Sequence, residues 1–220
     1  MTISKSASAF TLIEILVVCF LSVIVLLLMM QLMLPSVLLF KSESSRSEAQ
    51  QNVLILVHRL ESQLVNSQLA SVTISPDDGA IAFQQLVEAD PFASDTGKPK
   101  QRDYFTIYFY DATAQTVYQK RWPPGPPSFG PTYNFTDATK PQRLSQAHLE
   151  QICSTKTGDE RVVGRHITTW EVNDDDDDPF NLNPPLRLTL TCSVEASGQG
   201  RNRFEEFTMT SRITPRNVVW

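Results

Sequence analysis

Hydrophobic and polar positions divide this chain into parts of different period. A short polar leader, Met1 to Ala9, gives way to an apolar stretch from Phe10 to Phe40. About 20 apolar residues suffice for a helix to cross a bilayer, so residues 10–40 predict a membrane-spanning helix. Pro35 falls inside the stretch and predicts a bend or break, because proline removes one helical hydrogen bond. After Lys41 the pattern becomes amphipathic. Between residues 41 and 70, Val53, Leu56 or Val57, Leu60 and Leu64 recur at three- and four-residue spacing. Arg46, His58, Arg59, Glu61 and Gln63 fall mostly on other faces. This predicts that the helix continues outside the membrane with an apolar stripe for a sheet to pack on.

Residues 71–220 carry mostly period-two signals and predict one β-rich antiparallel head. Ala80 to Leu86 reads as a short strand. Tyr104 to Tyr110 and Thr116 to Trp122 flank a turn and read as a hairpin. The prolines of Pro123 to Pro127 exclude that run from a sheet interior and mark a loop. Leu144 to Cys153 has weak helical spacing, and Val162 to Val172 reads as one strand. From Leu186 to Glu195 the alternation is clean and points Cys192 to the apolar side. Phe204 to Ile213 returns as a last strand. The expected class is α+β: a long N-terminal helix packed on an antiparallel sheet.

One acid, Glu14, interrupts the apolar stretch near its start. A carboxylate at a membrane-helix centre costs about 2.5 to 3.5 kcal/mol on insertion scales and marks a functional position. The junction reads Ser8-Ala9-Phe10-Thr11-Leu12-Ile13-Glu14. With a small residue, then Phe-Thr-Leu-x-Glu, then a long apolar helix, it resembles the class III signal of type IV pilins and pseudopilins. An ordinary secretory signal would place its small-residue cleavage site after a shorter apolar core. The resemblance implies that a prepilin peptidase cuts between Ala9 and Phe10 and that the new amine of Phe10 is methylated. One departure is Ala9, where the family usually has glycine. Arg59 in the amphipathic helix, the long β pairs and the ending Arg216-Asn217 look like J-type minor pseudopilins of type II secretion. W-type minor pilins are similar. The implied partners are other minor subunits, the major subunit and the inner-membrane assembly platform. Thr11, Leu12 and Glu14 become the assembly residues, with Glu14 pairing to a neighbour's Phe10 amine.

Charge and cysteine content refine this picture. The formal net charge of the 220 residues is −5, and the run Asp174 to Asp178 accounts for all of it. No basic stretch suggests nucleic-acid binding. Of three cysteines, Cys19 lies in the apolar stretch. An export-side head permits a Cys153–Cys192 disulfide, which could contribute about 4 kcal/mol by restricting the unfolded chain. Two unpaired core cysteines are the alternative.

Catalytic signatures are missing. There is no nucleophile elbow, phosphate loop, dinucleotide fingerprint or zinc spacing. His58, His148 and His166 are scattered. No cofactor is implied, apart from a weak calcium candidate in Asp174, Asp175, Asp176, Asp177 and Asp178. Calcium loops space their ligands, so five adjacent aspartates read better as a solvated loop. Asn134-Phe135-Thr136 matches a glycosylation acceptor. A membrane-anchored binding module, such as an adhesin or DNA-uptake subunit, and a tethered enzyme are the other classes that fit an anchored head.

Overall fold

The structure, a computed structural model, describes residues 11–75, 79–88, 91–123, 135, 137–155, 158–174, 182–196 and 203–216. One helix, α1, runs from Leu12 to Val65, about 80 Å at 1.5 Å per residue. It passes through Pro35 without a break, so of the bend or break expected there the break does not occur. Proline removes one main-chain donor, while the turns on either side keep their own bonds. Ser36 donates its Oγ hydrogen to the Leu32 carbonyl at 3.0 Å.

A short 3-10 turn, Leu69–Ser71, leads from α1 into the sheets. The strands are β1 (Thr73–Ser75), β2 (Ala80–Phe83), β3 (Phe105–Asp111) and β4 (Thr116–Trp122). Helix α2 (Gln146–Ser154) precedes β5 (Arg161–Arg165), β6 (Ile167–Asn173), β7 (Leu186–Ala196) and β8 (Arg203–Ile213). They form two antiparallel sheets, ordered β1-β2-β3-β4-β5 and β6-β7-β8. The fold is therefore α+β, with the long helix packed on antiparallel sheet. The strand expected over Val162 to Val172 is instead two. His166 adopts a left-handed backbone at φ 59°, which ends β5 and passes the chain to the second sheet.

Alternation in the strands sorts side chains onto two cores. On the α1 side, Ala49, Val53, Leu56, Val57, Leu60 and Leu64 are buried against Ile81, Phe83, Tyr108 and Val117 of the first sheet. They also meet Ile167, Leu188, Leu190 and Cys192 of the second. One helix stripe thus closes both sheets. Fully burying one such side chain contributes about 1.5 to 3 kcal/mol. On the opposite face of the first sheet, Ala80, Ala82, Phe105, Ile107 and Phe109 pack on Leu149 and Ile152 of α2.

Polar contacts fix the line of α1. Ser42 Oγ donates to Glu205 Oε1 at 2.9 Å, and further along Ser211 Oγ donates to Glu61. The helix therefore runs along β8 in the same sense. Beyond α1, the Leu69 amide donates to the Arg216 carbonyl at 3.2 Å and the Arg216 amide to the Ser67 carbonyl at 3.0 Å. These bonds tie the late chain to the end of the helix.

Lys120, on β4, is buried. Its amine donates to the Ile152 and Thr155 carbonyls at the end of α2 and lies 3.7 Å from Glu160. Burial lowers its pKa below the ordinary lysine value, opposed by Cys153 and Glu160.

Candidate functional site

The start of α1 is built by its own sequence. Thr11 is the N-cap, with an extended backbone. Its hydroxyl oxygen accepts from the Glu14 amide at 3.4 Å. In return Glu14 Oε2 accepts from the Thr11 amide at 2.9 Å and from the Thr11 hydroxyl at 3.0 Å. This reciprocal capping box satisfies donors that a helix start otherwise leaves orphaned. A negative charge there also meets the positive end of the helix dipole. All of these donors go to one carboxylate oxygen, and Oε1 has no partner among the described residues. The Thr-x-x-Glu spacing before an apolar run is itself a capping-box signal, legible in the sequence without any family resemblance.

Leu12, at 84% exposed, and the apolar side chains after it project from the helix uncovered. No residue of the most apolar stretch is buried by the head, and α1 is long and apolar enough to cross a membrane. Leu38 is the first half-buried position, and the fully buried stripe starts at Ala49. The helix therefore presents an open apolar half and a half-covered one. Cys19 is an exposed free thiol in the open half.

Other candidates do not converge. Ala9 and Phe10, the expected cut, lie outside the described residues, as do Asp175 to Asp178, most of the proline loop, Asn134 and Asn217. Asp174 is buried, and its Oδ2 accepts from the Asn183 amide at 2.9 Å. It closes the base of its loop. No metal-ligand cluster occurs among the described residues. His58 is exposed on α1, His148 is buried on α2 against Trp122, and His166 sits at the strand break.

The Cys153–Cys192 bridge is not formed; neither cysteine is in a disulfide. The reason is topological. Cys192 belongs to the core on the α1 side, whereas Cys153 packs with the α2 core across the first sheet. Burial pushes the Cys192 thiol up to about 11, and its Sγ donates weakly to the Arg165 carbonyl at 3.7 Å.

No protein-family model, no curated protein and no solved structure matches this chain.

Proposed function

We propose that the chain is a minor pilin or pseudopilin, a structural subunit of a type IV pilus or a type II secretion pseudopilus. The observation that supports this reading best is the uncovered apolar half of α1, which opens on a capping box with one free carboxylate oxygen. An uncovered helix of this kind suits two environments in turn: lipid, and then a bundle of like helices. The prepilin peptidase cuts between Ala9 and Phe10. The head lies on the extracytoplasmic side of the inner membrane, and the subunit joins other minor subunits in a tip or initiation complex.

In this reading Thr11 holds the Glu14 carboxylate at the helix start through Oε2. Oε1 then accepts from the charged amine of a neighbour's Phe10. A charge left unpaired in an apolar setting is costly, so the pairing sets the axial register of the helices. The apolar side chains from Leu12 to Phe40 supply the packing, and the sheets carry the head as a rigid body on the same helix.

Mass spectrometry of the chain purified from cells with an active prepilin peptidase tests the reading. An N-terminus at methylated Phe10 is expected. A chain beginning at Met1 would overturn it.

A further inference from the structure

A cleft of about 530 Å³ opens between the soluble half of α1 and strands β4 and β5. Arg59, Arg121 and Arg161 line it with Gln63 and Gln119, against one acid, Asp159. Lys120 also lines it, but its amine is committed to the α2 carbonyls. No carboxylate of a described residue pairs with Arg59, Arg121 or Arg161. An acidic chain thus carries a local cluster of unneutralised guanidiniums. These come from α1, β4 and β5, far apart in sequence, which is why no basic run announces them.

We propose that this cleft binds an extended, carboxylate-rich segment of another protein. Three observations favour that class. Guanidinium forks match carboxylates in bidentate geometry. Gln63 Oε1 accepts from the Tyr108 hydroxyl at 2.9 Å and from Gln119 Nε2 at 3.1 Å, which leaves the Gln63 amide nitrogen as a further donor. The cleft also runs on into a second recess of about 280 Å³ that shares Gln63, Gln119 and Arg121 and adds the ion pair of Arg102 with Glu88 at 2.9 Å. Together the two recesses have room for several residues of peptide, more than one small anion fills. Nucleic acid fits less well. No aromatic side chain among the described residues lines either recess, so neither offers a face for base stacking. Arg59 and Arg161 both act on the buried Tyr108 hydroxyl and oppose the rise that burial gives its pKa. They therefore flank the same point from helix and sheet.

The test is fluorescence anisotropy of a labelled pentaaspartate peptide with the full chain in detergent micelles at low salt. Comparison arms are a pentaasparagine peptide, a single-stranded oligonucleotide of equal charge and inorganic phosphate. The proposal expects the aspartate peptide to bind, with affinity falling as salt rises. Arg59→Gln and Arg161→Gln should each weaken binding about tenfold. Lys98→Gln, an exposed charge on a loop away from the cleft lining, should leave it unchanged. Should Arg59→Gln fail to fold, Arg121→Gln and Arg161→Gln, both at exposed positions, carry the test. Undiminished binding by the arginine variants would overturn the proposal. So would absence of peptide binding, or tighter binding of the oligonucleotide or phosphate.

Discussion

Leu56 of α1 and Gly164 of β5 approach so closely that a Cβ on Gly164 would lie 2.7 Å from Leu56 Cδ2. Ile167 at 3.4 Å and Val117 at 3.6 Å close the other sides of that space. The helix therefore lies against bare strand backbone at this point. Gly164→Ala in the full chain should destabilise the head by about 1 to 3 kcal/mol through overpacking. Leu56→Ala alone should cost about 2 to 5 kcal/mol. The double variant should lose less than the sum, because truncating Leu56 removes the clash and the methyl added at Gly164 fills part of the space left behind. Denaturant unfolding in micelles measures all three, and strict additivity would contradict the contact.

Glu14 has two separable tasks, the cap and the charge. Glu14→Gln keeps an oxygen for the Thr11 amide and removes the charge. It should insert normally yet fail to enter assemblies, read by shear fractionation and immunoblot. Thr11→Val removes the cap oxygen, should cost about 0.5 to 2 kcal/mol of helix stability, and should reduce incorporation less. Wild-type incorporation of Glu14→Gln would remove the charge from the register mechanism.

Thiol chemistry checks the two-core arrangement. Native alkylation should label half-buried Cys153 and spare buried Cys192 until the head unfolds. Digestion without reduction should release the two cysteines on separate peptides. A disulfide-linked pair would require a path around the first sheet that the fold does not provide.

Alkaline pH should destabilise the head partly through Cys192. Its thiol ionises at an ordinary value of 9.0 when unfolded and at about 11 when folded. Between these values the folded chain keeps a proton that the unfolded chain has released. The contribution is full below 9.0 and falls as pH rises towards about 11, at no more than about 1.4 kcal/mol per unit. Cys192→Ala should flatten this part of the profile, measured as unfolding free energy against pH.

Lys120 holds the end of α2 on β4 through carbonyls the helix leaves unpaired. Lys120→Ala should cost about 1 to 3 kcal/mol. Hydrogen exchange should quicken first in Gln146–Ser154. Unchanged exchange in α2 would assign the helix's position to Leu149 and Ile152 alone.

The buried stripe from Val53 to Leu64 was readable because helical spacing directly records which face meets a core. The strand from Leu186 was readable because alternation records a sheet with one buried side. His166 was not, since a left-handed backbone leaves no mark on apolar pattern, and Val162 to Val172 is rich enough in β-branched residues to pass for one strand. The cysteine pairing failed for a related reason. Alternation told that Cys192 faces a core, but not which of two, and the second core exists only once α2 folds over the far side of the first sheet. The arginine cleft was invisible because its members meet only in three dimensions.

A single unbroken helix joins the greasy end of this molecule to the core of its head. Traction applied along that helix reaches the sheets as shear across many interlocked contacts at once, whereas sideways levering would peel them one by one. A pull on the apolar end would therefore load both sheets together.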